Sequence, residues 1–99
     1  MSRQHEPPHP GEFIRKVYTE PYKDNISRSE IARRLSVSRS NFNRLLNEEV
    51  GLSSEMALRL SRVLGGTAES WMNMQTNYAL WQARKKININ KLESLQLSP

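Results

Sequence analysis

The chain contains no cysteine, which excludes a disulfide framework, a thiolate nucleophile and a cysteine zinc site, and suits a reducing compartment. Its two histidines, His5 and His9, cannot build a metal site by themselves. No nucleophile with an adjacent base, no carboxylate pair and no phosphate-cradling glycine loop is evident, so neither catalysis nor a bound cofactor is expected. No apolar run approaches the roughly 20 residues of a membrane span. Pro7, Pro8 and charged residues stand where a secretory signal would be apolar. These absences together predict a cytoplasmic protein that is not an enzyme and does not engage a membrane.

What is present fits one small folded domain. The 99 residues are 36% hydrophobic and 25% charged, enough for a helical core and too apolar for a disordered chain. Fifteen basic against ten acidic side chains give a net charge of +5. That excess favours a polyanionic partner, because neutralising phosphates releases condensed counterions. Net charge alone is a weak guide, so its location along the chain has to decide.

The pattern is helical throughout the first 85 residues. Met1–Pro8 reads as a flexible lead-in. From His9-Pro10-Gly11-Glu12, the residues Phe13, Ile14, Val17 and Tyr18 recur at helical spacing. A first helix is predicted over about Pro10–Thr19, ended by Pro21. After a polar link from Tyr22 to Ile26, Ser27 and Glu30 have the spacing of a reciprocal capping pair and open a second helix that runs to Leu35. Ser38 caps a third, Arg39–Leu46. Ser53 or Ser54 opens a fourth, with Met56, Ala57, Leu60, Val63 and Leu64 inward, stopped by Gly65-Gly66. Thr67 opens a fifth, on which Trp71, Met74, Tyr78 and Trp81 share one face. Residues 86–99 leave two readings open. Ile87 and Ile89 alternate like a strand and Leu92 and Leu95 like a helix face, so the segment is a tail or a partner-binding arm.

Function is concentrated between Ile31 and Asn47. Two short helices cross steeply when a small residue sits at their contact and the turn between them is tight. Ala32 supplies the contact, Val37 plugs the turn, and Phe42 and Leu45 press the second helix inward. This leaves Arg39, Ser40, Asn43, Arg44 and Asn47 facing outward. Arg reads guanine and Asn reads adenine bidentately in the major groove, each good pair being worth ~1–3 kcal/mol. Between Arg28 and Arg44 five arginines accompany a single acid, Glu30, so the basic excess lies on the element that would meet DNA. A solvated face of a protein-binding bundle is the competing reading.

The His9-Pro10-Gly11-Glu12 opening, the helix-turn-helix with Leu45-Leu46-Asn47, Gly51-Leu52-Ser53, Met56-Ala57-Leu58-Arg59-Leu60, and the helix from Trp71 to Tyr78 together resemble the HigA/VapI antitoxins of type II toxin–antitoxin modules. The resemblance covers roughly His9 to Arg84. It implies an all-α, five-helix, lambda-repressor-like DNA-binding domain over residues 9–85. It further implies a homodimer that represses its own operon at double-stranded operator DNA and neutralises a HigB-like mRNA-cleaving toxin. A stand-alone repressor without a toxin, or a protein-binding adaptor, are the alternatives. By the repressor-like pattern Arg39, Ser40 and Arg44 are base-reading positions, with Asn43 added on geometry, while Arg28, Ser38 and Asn47 are phosphate positions.

Three features depart from the family. Ser36 replaces a usual glycine, so the turn is either less left-handed or held so at some cost. Asn47-Glu48-Glu49 replaces Asn-Gly-Lys and puts two acids where a phosphate would approach. The Tyr22–Ile26 link is longer than usual. Trp71 and Met74 are assigned mainly to the core. Tyr78, Trp81, Leu92 and Leu95 are the candidate dimer or toxin interface, and Arg84-Lys85-Lys86 is read as a solvated helix end.

Overall fold

The computed structural model describes residues 6–97. Met1–His5 of the expected lead-in, and Ser98 and Pro99 of the tail, lie outside the described residues. Five helices, and no strand among the described residues, form the domain: α1 (Pro10–Ile14), α2 (Arg28–Leu35), α3 (Arg39–Leu46), α4 (Ser54–Val63) and α5 (Ala68–Lys86). None of them is long and apolar enough to cross a membrane.

The His-Pro-Gly-Glu opening has a mechanical explanation. The His9 ring is buried, and its Nδ1 accepts from the Gly11 amide at 2.9 Å, so a side-chain cap starts the helix. Pro10 occupies the first turn, where no backbone donor is needed. A Cβ on Gly11 would overlap the carbonyl oxygen of Leu45, so only glycine lets α1 lie directly on α3. With Nδ1 so engaged, the His9 ring is a structural cap.

The first helix departs from the sequence expectation in its second half. It is α-helical only to Ile14, widens into a π-helical turn over Arg15–Thr19, and continues through a 3-10 turn, Glu20–Tyr22, that includes Pro21. In a regular α-helix the proline ring would collide with the Val17 carbonyl four residues earlier. The widening lies just upstream of that collision, and Pro21 sits in the first turn of the next segment rather than closing the path.

Capping also differs in one place. Ser27 accepts from the Glu30 amide at 3.1 Å, but the reciprocal bond is absent. The Glu30 carboxylate accepts instead from Arg33 (2.6 and 2.9 Å) and Arg34 (2.9 Å). The reciprocal box is formed at α5, where Thr67 accepts from the Ser70 amide at 3.0 Å and Ser70 from the Thr67 amide at 3.2 Å. Ser53, not Ser54, caps α4, accepting from the Met56 amide.

The core gathers Ile14 from α1, Ile31, Ala32 and Leu35 from α2, Phe42, Leu45 and Leu46 from α3, and Ala57, Leu60 and Trp71 from the last two helices. Val37 packs half-buried against it, as the turn plug should. Beyond Lys86 the described residues form neither the strand nor the α-helix that their spacing left open. Ile87 is extended, a 3-10 turn covers Ile89–Lys91, and Ile87, Ile89, Leu92, Leu95 and Leu97 are all exposed.

Candidate nucleic-acid interface

The outer face of α3 follows from its buried one. At about 100° per residue, Phe42, Leu45 and Leu46 define an inward arc whose opposite side is centred on Ser40 and Arg44, with Arg39 and Asn43 on one flank. Arg39, Ser40, Arg44 and Asn47 are exposed accordingly. Asn43 is half-buried, and its Oδ1 is fully enclosed without a hydrogen-bond partner among the described residues. It therefore turns partly into the protein, unlike the other four. Asn41, which the sequence reading passed over, is exposed on the opposite flank.

Both helices of the pair are fixed at each end. Ser38 accepts from the Asn41 amide at 3.0 Å and starts α3. Ser36 is left-handed, with φ 58° and ψ 41°, so the turn keeps a geometry that glycine adopts most readily. Serine holds it at a conformational cost. The C-terminal carbonyls are closed by two arginines that sequence reasoning missed. Arg15 donates to the Leu46 carbonyl at the end of α3. Arg59 donates to the Leu35 carbonyl at the end of α2, at 2.9 Å, while pairing with Glu55. Cations suit helix C-termini because the unpaired carbonyls carry partial negative charge. No local pattern reveals these partners, which lie 31 and 24 residues away.

The basic charge is unevenly available. Glu30 engages Arg33 and Arg34, and those two guanidiniums hold its carboxyl at about 2, far below the usual range. Arg28, Arg39 and Arg44 have no ion pair among the described residues. Arg28 is half-buried at the first position of α2, and Ser38 stands at the cap of α3. The two acids after α3 separate. Glu48, at φ 62°, turns towards α1 and pairs with Arg15 at 3.4 Å, whereas Glu49 accepts from the Asn47 side chain at 3.4 Å. Gln75 of α5 braces the following loop, accepting from the Leu52 amide at 2.6 Å.

The candidate interface residues of the C-terminal half divide into two groups. Trp71 is buried, and Met74, Tyr78 and Trp81 are half-buried along the same face. Tyr78 packs edge-on against His9 at 4.9 Å between centroids. Leu92 and Leu95 are 65% and 82% exposed.

No family model matches the chain. Individual proteins do. It is 43% identical over 84 residues to virulence-associated protein I of Dichelobacter nodosus, covering 82% of this chain and 76% of that one. It is 32% identical over 76 residues to antitoxin HigA-1 of Vibrio cholerae, covering 77% and 70%. The solved structure of Pseudomonas aeruginosa antitoxin HigA with the higBA promoter superposes with a TM-score of 0.77 at 36% identity, covering 90% of this chain and 98% of that one. These likenesses cover more than three quarters of this chain in each case, and the chain belongs to the HigA/VapI family of helix-turn-helix antitoxins.

Proposed function

We propose that this chain is a cytoplasmic antitoxin, not an enzyme, that represses its own operon by inserting α3 into the major groove of operator DNA and that neutralises a HigB-like mRNA-cleaving toxin. The observation that carries the DNA reading is the outer face of α3: Arg39 and Arg44 are exposed, with no ion partner among the described residues, on a helix that buries Phe42, Leu45 and Leu46. Arg39, Ser40 and Arg44 read base edges, with Asn43 contributing through what its half-buried side chain leaves accessible. Arg28, Ser38 and Asn47 contact phosphates and set register without carrying sequence information.

A single eight-residue helix buries too little surface for strong specificity, so two copies read two half-sites about one helical turn apart. Residues 9–85 supply the DNA-binding domain. The apolar arm over residues 86–99, with Leu92 and Leu95 exposed, is available to pair with a second copy.

A mobility-shift assay on the DNA upstream of the gene tests the repressor half. Binding should be salt-dependent and should favour that DNA over random duplex; equal affinity for both removes the operator reading. The toxin half predicts that a small basic protein encoded beside this gene copurifies with the chain. Its absence favours a stand-alone repressor.

A further inference from the structure

On the flank of the domain formed by α1, the turn after α3 and the far half of α5 lies a groove of about 360 Å³. Two aromatic rings, Tyr78 and Trp81, line its floor beside polar groups. Tyr78 is held by the His9 edge and by the Gln82 side chain, which donates to its hydroxyl at 2.7 Å, and Trp81 leans on Tyr78 at 6.1 Å between centroids. Three carboxylates, Glu6, Glu12 and Glu48, stand around it. The chain's own Lys85 already places its ammonium 3.5 Å from the centre of the Trp81 ring. An indole face attracts cations through its quadrupole, so a positively charged ligand group suits this ring.

We propose that this groove receives an arginine or lysine side chain of the protein partner that the chain neutralises. The assignment rests on the antitoxin reading and specifies its contact. A protein that cleaves mRNA must hold a polyanion, and does so with Lys and Arg. A surface that covers those residues has to offer carboxylates and aromatic faces, as this groove does. The carboxylates are exchangeable: Glu12 is paired with Lys16 across an exposed face, Glu48 reaches Arg15 at 3.4 Å, and Glu6 has no ion partner among the described residues. Surface pairs of this kind are weak. Entry of a partner guanidinium displaces Lys85 from Trp81 and shares Glu12 and Glu48. The outer face of α3 contributes nothing to the groove, so DNA and partner occupy different faces.

The test has two arms. In the first, a blocked Gly-Gly-Arg-Gly-Gly peptide is titrated into the full chain while the two indole N–H resonances are followed by NMR. The inference expects a saturable shift of Trp81 with Trp71 unmoved, and no shift with the citrulline peptide. Lys85→Ala should tighten binding at least threefold by removing the internal competitor, and Glu12→Gln and Glu48→Gln should each weaken it at least threefold. An immobile Trp81, an equal response to citrulline, or a Lys85→Ala variant that binds no tighter overturns it. In the second arm the neighbouring gene's product is coexpressed. Reduced copurification with the Glu12→Gln, Glu48→Gln double variant, at unchanged DNA binding, supports the assignment. Undiminished copurification overturns it and leaves the antitoxin reading standing. No copurification with the unaltered chain overturns the antitoxin reading instead, and the peptide arm then decides the groove by itself.

Discussion

Helices α3 and α5 are built on opposite terms. In α3 three of eight side chains are buried, a serine starts the helix, an arginine from outside closes it, and the remaining surface is polar. The nineteen residues of α5 bury only Trp71 fully. Its far half exposes Leu80, holds Tyr78 and Trp81 half-covered beside a groove, and runs into an arm with five exposed aliphatic side chains. Where every inward residue is satisfied within the domain, the outward residues are available for a polyanion. Where apolar residues remain uncovered, the surface is disposed towards protein.

The widest separation between the two regions should appear in stability. Phe42→Ala empties a fully buried site and should cost ~3–5 kcal/mol, a large part of the stability of a domain of this size. Leu95→Ala, at 82% exposure, should change the unfolding free energy of the monomer by less than about 0.5 kcal/mol. Urea denaturation at low protein concentration measures both, and a large loss in Leu95→Ala would place the arm in the fold after all.

Next in size is the C-terminal clamp of α3. Arg15→Gln removes the donor to the Leu46 carbonyl and should cost ~1–2 kcal/mol in stability. It should also lower operator affinity while leaving the salt slope unchanged, because Arg15 positions the helix without touching DNA. A slope reduced by about one would make Arg15 a phosphate contact instead.

Acid should weaken the α1 end of the same structure. Burial pushes the His9 imidazole below its ordinary value of 6.5, so the unfolded chain takes up that proton first as pH falls. The corresponding stability is fully present above about pH 6.5, erodes below it, and levels off once pH passes the folded value. Melting temperatures measured from pH 8 to 5 should show this decline. His9→Asn, which keeps a capping side chain, should flatten it; an unchanged profile would assign the decline to other groups.

The smallest effect concerns the turn. Ser36→Gly relieves a left-handed serine and, after the entropy that glycine adds to the unfolded chain, should stabilise the protein by about 0.5–1 kcal/mol. A neutral or destabilising result would mean that the Ser36 side chain contributes something glycine lacks.

The same contrast explains what could be read from the chain. The α2–α3 pair was legible because its determinants are local: Ser38 three residues before Asn41, Ala32 and Val37 at the crossing, and Phe42, Leu45 and Leu46 on one arc. The first helix was misread at Pro21, because a widened turn upstream relieves the clash that was expected to end it. The Ser27–Glu30 box failed because two nearby guanidiniums compete for the carboxylate more strongly than one backbone amide does. Arg15 and Arg59 were invisible because their partners are distant carbonyls that any sequence supplies. The arm resisted both periodicities because its aliphatic side chains stay exposed among the described residues, so neither period is enforced by burial. At the candidate site, Arg39, Ser40 and Arg44 emerged on the expected face, whereas the burial of the Asn43 carbonyl depends on neighbours that no spacing rule reports.

The central claim, that the outer face of α3 reads bases, is tested most directly by comparing Arg44→Ala with the unaltered chain on upstream DNA and on a scrambled duplex at one fixed salt concentration. The unaltered chain should prefer the upstream DNA by ~10³-fold or more. Arg44→Ala should lose ~1–3 kcal/mol on that DNA and far less on the scrambled duplex, so that the preference itself collapses. Equal losses on both duplexes would make Arg44 a phosphate contact and contradict the base-reading role of this face.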